Sequence, residues 1–378
     1  MDDVSEPGGQ VHLHFSGHVV ATGNHVNLSA IRTEGRHLWL AGDETATLER
    51  LTLDSASAPT VGAGQRSFFL HDLVDLPGPP DAEADLEGIA RSGDWLWATG
   101  SHSLVRKQIK PHHSDAKAYR RLAKVRREPN RFVIARLAVH QGEDGPELMR
   151  RTPDGRQSAI IGAPGTTNLA DLLAADEHLG PFLSIPSKDN GLDVEGLAVH
   201  GQTLYVGLRG PVLRGWAVVL EVLPQPDPTD DTRLLLGAFP EGVRFRKHLL
   251  DLGGLGVRDL CPDGDDLLVL AGPSMALSGP VRVYRWHGAA TTDTSRVVRG
   301  AEISVERELP HGAGVDHAEG IALLADDAPA RLLVVYDSPS TARRPTPDSV
   351  LADRLPIGRT EQLAARSVPS ISHPVTVA

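Results

Sequence analysis

Short apolar segments recur along the chain in pairs, and a turn separates the two members of each pair. The first member is four residues long and has a small or polar residue at its second position. It occurs five times, at residues 28–31, 86–89, 194–197, 257–260 and 318–321. A second, more apolar member follows at residues 37–40, 95–98, 204–207, 267–270 and 332–335. Short apolar runs bounded by turn residues are typical of strands, so the pattern predicts a repeated antiparallel hairpin.

The spacing of the hairpins predicts the architecture. Further strand-like runs at residues 132–135, 217–220 and 281–284 allow each unit about four strands, as in one blade of a β-propeller. The second positions are 58, 108, 63 and 61 residues apart. They are occupied by Ser29, Glu87, Glu195, Arg258 and Glu319. No sixth copy lies in the double-length interval, which favours five blades with insertions over the alternative of six.

We therefore predict that residues 1–378 form one all-β propeller, with a stacked β-sandwich as the competing fold. Two stretches of the second blade are predicted to be helical inserts, residues 107–130 and 168–180. The early strand at residues 11–15 is expected to complete the last blade and close the ring.

The first insert is strongly basic. Residues 106–131 contain ten lysines and arginines against two acidic residues. The insert follows the second strand of its hairpin and begins at the polar end of the channel. There it could serve as a positive flap or as an ordinary solvated helix. The second insert, residues 168–180, is expected on the opposite face in a structural role.

Composition narrows the classes of function. The formal charge of −11 argues against general nucleic-acid binding, which requires a broad basic face. No apolar run is long enough to span a membrane and the first residues lack signal-peptide features, so a cytoplasmic location is predicted. Cys261 is the only cysteine, which excludes an intramolecular disulfide and a thiolate-cluster zinc site.

Strand geometry predicts that polar side chains meet at one mouth of the channel. In an antiparallel hairpin the start of the first strand lies beside the end of the second. Fourteen residues after the second position stand Asp43, Ser101, Arg209 and Gly272 in the first four copies, and Asp337 is equivalent in the last. The mouth is therefore expected to be ringed by residues that include Asp43, Glu87, Ser101, Glu195, Arg209, Arg258, Asp259, Glu319 and Asp337.

Several glutamates directed at one narrow axis repel one another unless a counter-charge is present. Hard cations prefer several oxygen ligands, so bound Ca²⁺ or Mg²⁺ is one solution. The candidate metal ligands are Asp43, Glu87, Glu195 and Glu319. Pairing with arginine is a second solution, and the candidates are Arg209, Arg214 and Arg258. A third possibility is that the carboxylates only accept hydrogen bonds from backbone amides.

Seven motifs resemble a bacterial family, the domain of unknown function 3616, over nearly the whole chain. They are GSHS (100–103), PNRF (129–132), DVEGLA (193–198), GLRGPVLRGW (207–216), GLGVRDL (254–260), AGP (271–273) and HAEGI (317–321). The resemblance implies a propeller fold and supplies no reaction. The Glu-Gly start of an inner strand is also similar to the metal-binding glutamate of calcium-dependent lactonase and phytase-like esterase propellers, which implies a hydrolase.

The common catalytic and nucleotide-binding motifs are missing from the sequence. We hypothesise a divalent-cation-dependent hydrolase that acts on a small anionic ester. The candidate catalytic residues are His102, Glu195 and Asp259, with a purely structural histidine as the alternative for the first of them. The candidate substrate-binding residues are Ser101, Arg209, Arg214, Arg258 and Asp337. The competing hypothesis is a non-catalytic module that binds a small anionic metabolite or a peptide.

Overall fold

The computed structural model describes residues 9–53, 60–61, 64–275, 277–311, 314–324 and 330–358. It is 50% strand and 13% helix, and the strands have a β-propeller arrangement with four recognisable blades. The predicted all-β propeller class is therefore confirmed, whereas the predicted count of five blades, or six, is not. No helix in these described ranges is long and apolar enough to cross a membrane.

The strands of the first half of the chain are β1 (Gln10–His14), β2 (Leu28–Glu34), β3 (His37–Gly42), β4 (Thr47–Thr52), β5 (Thr60–Val61), β6 (Arg66–Phe69), β7 (Leu86–Ser92), β8 (Trp95–Gly100), β9 (Leu104–Arg106), β10 (Val125–Arg127), β11 (Ile134–Gly142), β12 (Gly145–Met149) and β13 (Ala159–Ile161). Those of the second half are β14 (Asp193–His200), β15 (Thr203–Leu213), β16 (Trp216–Val222), β17 (Pro224–Asp227), β18 (Asp230–Leu236), β19 (Phe245–Asp251), β20 (Gly256–Asp263), β21 (Asp266–Gly272), β22 (Val281–Trp286), β23 (Val297–Val298), β24 (Ile303–Leu309), β25 (His317–Leu324), β26 (Arg331–Asp337) and β27 (Ser349–Pro356).

The helices are short. The α-helices of the described ranges are α1 (Gly17–Ala21), α2 (Leu70–Leu73), α3 (Asp115–Leu122) and α4 (Leu169–Leu173). Single 3-10 turns lie at Asn24–Val26, Pro129–Phe132, Gly180–Phe182, Ser187–Asp189, Ala289–Thr291, Gly300–Glu302 and Thr341–Arg343.

The sheets share one order, in which the first strand of each predicted hairpin is innermost. The sheet orders are β2-β3-β4-β6, β7-β8-β11-β13-β18-β17 with β12 beside β11, β14-β15-β16-β19-β23, β20-β21-β22-β24 and β25-β26-β27-β1-β5. Strand β1 pairs antiparallel with β27, which confirms that the early strand joins the sheet formed by the end of the chain. All residues of β21, the second strand of its hairpin, are buried, because neighbouring sheets cover both of its faces.

Each inner strand carries a β-bulge at the same place. The shifts in register leave one residue unpaired near the strand start, and it is the second position of the repeat. The unpaired residues are Ser29, Glu87, Glu195, Arg258 and Glu319. A bulge bends the strand and redirects the side chain. The glycine that follows each glutamate permits close packing, since a Cβ on Gly88 would lie 2.9 Å from the Cβ of Leu197 on the next inner strand.

Both inserts leave the propeller at the polar mouth. Strands β9 and β10 form a separate two-stranded ribbon that carries α3 between them, and α3 has no buried residue. Ile161 at the end of β13 pairs with Ile134, which in turn lies opposite Thr99 near the mouth end of β8. The expectation that residues 168–180 lie on the opposite face is therefore wrong, because β13 runs toward the mouth.

Candidate functional site

Two groups of potential metal ligands lie at the mouth. Asp43 directly follows β3, Asp85 directly precedes β7, and Glu87 is the bulged residue of β7. One ligand atom from each of these three residues lies within 4.8 Å of the other two, and we call them the acidic triad. A second group with the same spacing comes from β25 and β26 and consists of His317, Glu319 and Asp337.

The acidic triad lacks partners for much of its charge. The Oδ1 atom of Asp43 is buried without a hydrogen-bond partner, and no described residue donates a hydrogen bond to Glu87, which is 8% exposed. Asp85 is paired with the guanidinium of Arg131. Burial and the neighbouring carboxylates, first among them Glu319, raise the pKa of Asp43 to about 8. Burial and the charge of Asp85 raise the pKa of Glu87 well above its ordinary value.

Glu195 is neutralised by arginine instead. Its Oε1 lies 2.7 Å from Nη1 of Arg209, and its Oε2 lies 3.1 Å from Nη1 of Arg258. The same Arg258 nitrogen lies 2.6 Å from Oε1 of Glu319, so the four residues form a continuous chain of ion pairs. Burial raises the pKa of Glu195, but Arg209 and Arg258 lower it further, so it lies below its ordinary value. Burial raises the pKa of Glu319 to about 7 despite Arg258.

The loop after β21 fixes the two arginines. The Nε of Arg209 donates to the carbonyl oxygen of Ser274 at 3.2 Å, and Nη2 of Arg258 donates to that of Pro273 at 3.2 Å. Arg214 differs from both, because it is exposed at the turn between β15 and β16 and pairs with no described carboxylate. The charge of Arg214 is therefore not part of the network at the mouth.

Ser101 and His102 follow β8 but face different surroundings. The Oγ of Ser101 is buried and lies 2.8 Å from Oγ of Ser103. The Nδ1 of His102 donates to the Gly100 carbonyl oxygen at 2.9 Å, whereas its Nε2 is buried without a partner. The ring of His102 lies edge-on to the core residue Phe132. Burial lowers the pKa of His102 to about 4, so the imidazole is neutral at neutral pH.

Asp259 belongs to a separate network inside the channel. Its carboxylate lies 2.7 Å from Nη2 of Arg32 and accepts hydrogen bonds from the amides of Leu260 and Ile321 at 2.8 and 2.9 Å. Arg32 also donates to the carbonyl oxygens of Leu197 and Ile321 at 2.8 and 2.9 Å. Because Arg32 donates to carbonyl oxygens of several inner strands, the pair links these strands to one another. The structure does not bring Asp259 to the acidic groups of the mouth.

Most of the residues predicted at the mouth lie close together in the structure. Glu195, Asp43 and Glu319 lie near enough to Glu87 for their charges to raise its pKa. The predicted residues that the structure brings together are Asp43, Glu87, Ser101, Glu195, Arg209, Arg258, Glu319 and Asp337. Those that it leaves outside the cluster are His102, Arg214 and Asp259.

Sequence reasoning missed five charged or titratable residues at the mouth. Asp85, Asp193 and His317 each stand two positions before a glutamate of the repeat, and this polar alternation was a signal that could have found them. Burial raises the pKa of Asp193 to about 7. Arg131 and Lys188 lie in connections between strands, where local sequence carries no comparable signal.

A model of a family described as "Protein of unknown function (DUF3616)" matches residues 27–353. The chain belongs to the DUF3616 family. The resemblance seen in the sequence motifs is thereby confirmed, and the DUF3616 assignment itself carries no activity. Comparison with curated proteins gives no match for this DUF3616 protein.

Several solved structures are distantly similar to this DUF3616 protein. A glutaminyl cyclase of Myxococcus xanthus has 12% identity and a TM-score of 0.38, over 93% of this chain and 100% of that one. The allergen Mala s 1 of Malassezia sympodialis has 8% identity and a TM-score of 0.40, over 88% and 93%. A putative 6-phosphogluconolactonase of Bacteroides uniformis has 14% identity and a TM-score of 0.29, over 80% and 62%. Likenesses this weak do not bear on its activity.

Proposed function

We propose that this DUF3616 protein is a divalent-cation-dependent hydrolase that acts on a small anionic ester at the mouth of the propeller channel. The observation that supports the proposal best is the acidic triad, in which Oδ1 of Asp43 is buried without a hydrogen-bond partner and no described residue donates a hydrogen bond to Glu87. Uncompensated buried carboxylates are costly, and a cation would satisfy them.

The chemistry of the triad fits a hard cation. Its three members offer only carboxylate oxygens, the ligands that Ca²⁺ and Mg²⁺ prefer. Asp43, Asp85 and Glu87 would hold the ion, and Glu319 faces them from the neighbouring sheet. Glu195 has a different role in this proposal, because two arginines already balance its charge. A bound cation would polarise the ester oxygen and lower the pKa of a water ligand.

Hydrolysis also needs a group that accepts the proton of the attacking water. We assign this role to Glu319, whose pKa of about 7 suits proton transfer at neutral pH. Water then adds to the ester centre, the bond to the alcohol oxygen breaks, and the alcohol leaves with the proton. His102 is less suited because its ring faces Phe132. The substrate-binding roles of Ser101, Arg209, Arg214, Arg258 and Asp337 and the catalytic role of Asp259 stay predictions.

The first test measures cation binding directly. Protein stripped with a chelator is titrated with Ca²⁺ and Mg²⁺ by calorimetry, and turnover is followed on a panel of small phosphate and carboxylate esters. We expect Glu87→Gln to weaken Ca²⁺ binding at least about tenfold and to abolish turnover. Glu44→Gln is the matched control, since it removes the same charge from an exposed neighbour of Asp43. Wild-type protein that binds neither cation below millimolar concentration would contradict the proposal.

A second candidate function is a non-catalytic module for a small anionic metabolite or peptide. The chain of ion pairs from Arg209 to Glu319 favours it, because such a network is a rigid hydrogen-bonding template. Glu195→Gln separates the two functions. Lost turnover with ligand binding retained supports the enzyme, whereas lost affinity without detectable turnover of any ester supports the module.

We also propose that the ring has five blades, begun by β2, β7, β14, β20 and β25. In support, β2 contacts β7 and β25, β14 contacts β7 and β20, and β20 contacts β25, which would close a ring of five inner strands. An experimental structure that shows a sixth inner strand between β7 and β14 would contradict this count.

A further inference from the structure

The cationic side chains of the mouth differ in whether their charge is balanced. Arg131, Arg209 and Arg258 each pair with one or more carboxylates. Lys188 is exposed and forms no hydrogen bond or ion pair with any residue in the described ranges. Lys188 therefore has an ammonium group that is free to bind an anion from solution.

The turn that carries Lys188 is fixed to the rim of the mouth. Lys188 is the central residue of the 3-10 turn Ser187–Asp189, which leads directly into β14. Asp189 is bound by Nε of Arg106, the last residue of β9 in the two-stranded ribbon, at 2.7 Å. On the other side, Oδ1 of Asn190 accepts a hydrogen bond from the amide of Val212 at 3.1 Å. The backbone at Lys188 is thus held between two elements that border the mouth.

The charge of Lys188 acts on carboxylates from several sheets. Burial acts to raise the pKa of Asp85, Asp193, Glu195 and Asp337, and the charge of Lys188 acts to lower the pKa of each of them. No single one of them captures the ammonium group. Both observations agree with the position of its turn at the rim of the mouth, beside the start of β14.

We infer that Lys188 binds the anionic group of the substrate, a phosphate or a carboxylate, at the rim of the mouth. This inference rests on the proposed function. A cation in the triad would balance the charge of Asp85, which reduces the negative charge that surrounds Lys188. A lysine ammonium is a compact point charge with three donors, which suits phosphate and carboxylate oxygens.

The test uses inorganic phosphate and, separately, acetate as probes, titrated by calorimetry into the full-length protein saturated with Ca²⁺. We expect Lys188→Gln to weaken binding of the preferred anion about tenfold and Lys188→Arg to change it by less than about threefold. Lys117→Gln is the control, because Lys117 is an exposed lysine of α3 and should leave affinity unchanged.

A second measurement, of Ca²⁺ affinity, should change in the opposite direction to anion affinity. Without any added anion, Lys188→Gln should bind Ca²⁺ more tightly than the wild type, because a repelling positive charge has been removed. Lower anion affinity together with higher Ca²⁺ affinity supports the inference, and a structural role for Lys188 would not produce this pair of changes.

Three outcomes would overturn the inference or its foundation. Unchanged anion affinity in Lys188→Gln overturns it, as does wild-type protein that binds Ca²⁺ but neither probe. Wild-type protein that binds no cation contradicts the proposed function instead. In that case phosphate is titrated into the metal-free wild type and into metal-free Lys188→Gln. Equal phosphate affinity of the two proteins overturns the anion-binding role of Lys188, and lost affinity in Lys188→Gln supports it.

Discussion

Arg32 and Asp259 illustrate how two buried charges are accommodated in the channel. Both are almost fully buried, and each satisfies the other while also bonding to backbone groups of the inner strands. Removing one member of a buried ion pair leaves the other charge unpaired in a medium of low polarity. The stability of the fold should therefore depend on keeping the pair together rather than on either residue alone.

Arg32→Met should lower the free energy of unfolding by about 3–5 kcal/mol, because Asp259 loses its partner. The double variant Arg32→Met, Asp259→Leu should recover most of that loss, since no unpaired charge remains. Urea denaturation of the wild type, the two single variants and the double variant measures both effects. Additive losses in the double variant would show that the pair is not coupled.

Asp43 should destabilise the metal-free protein at high pH. Burial and neighbouring acids raise its pKa to about 8, so the folded state holds a proton that the unfolded state releases near pH 4. Its contribution therefore becomes less favourable as the pH rises from about 4 to 8. Asp43→Asn should stabilise the chelated protein by about 1–2 kcal/mol at pH 8 and have little effect at pH 4. Thermal denaturation in the presence of chelator measures this, and an equal effect at both pH values would contradict it.

The same substitution should act in the opposite direction when Ca²⁺ is present. A ligand at one hundred times its dissociation constant stabilises the folded state by about 2.7 kcal/mol. Asp43→Asn should lose most of this stabilisation because it removes a ligand of the triad. A calcium-dependent increase in melting temperature that survives in Asp43→Asn would place the cation elsewhere.

At the scale of elements, the bulge explains the Glu-Gly pairs of the inner strands. The bulged glutamate turns toward the mouth, and the glycine after it packs against the next inner strand. A Cβ at Gly88 would lie 2.9 Å from Cβ of Leu197 and 3.0 Å from the carbonyl oxygen of Glu195. The motif therefore serves both the site and the closure of the ring.

Gly88→Ala should consequently lower the free energy of unfolding by about 1–3 kcal/mol, because the added methyl group meets backbone that cannot move freely. Gly358→Ala is a suitable control, since its nearest contact is the flexible carboxylate of Glu306 at 3.5 Å. Chemical denaturation of both variants measures the difference. A loss in Gly88→Ala no larger than that of the control would mean that the inner strands tolerate wider spacing.

Local pattern predicted the hairpins and most of the mouth because both follow from strand alternation. It failed for Asp259, since neighbouring residues of a strand point to opposite sides and Arg258 already takes the side of the mouth. It also failed for the face of residues 168–180, because the direction of β13 depends on long-range pairing with β11. Lys188 was missed for a related reason, because the sequence of a loop does not predict which strands the loop will border.

At the scale of the whole molecule, the first and the last described strands meet in one sheet. The β1 strand near the start pairs with β27 near the end, and Gln10 lies opposite Asp353. The Asp353 carboxylate accepts hydrogen bonds from Arg343 at 2.7 and 2.8 Å, from the Tyr336 hydroxyl at 2.7 Å and from Gln10 at 3.0 Å. One carboxylate thus joins three parts of the closing sheet.

The closure should weaken in acid. Burial raises the pKa of Asp353, but its hydrogen bonds, led by that from Arg343, lower it further, so it lies below the ordinary value. A depressed pKa stabilises the fold above the pKa of the unfolded chain, near 4, and the stabilisation is lost as the pH falls through the folded value. Asp353→Asn should therefore cost about 2–3 kcal/mol at neutral pH, with a difference from the wild type that shrinks below about pH 4.

Urea denaturation at pH 7, 5 and 3.5 measures this dependence. Asp231→Asn is the matched control, because the Asp231 carboxylate is 61% exposed in its pair with Arg151 and such surface pairs contribute little. Because β1 joins the start of the described chain to its last strand, Asp353→Asn should unfold in a single transition rather than lose one sheet first. A pH-independent loss, or an early partial transition confined to β1, would show that the ring does not depend on this closure.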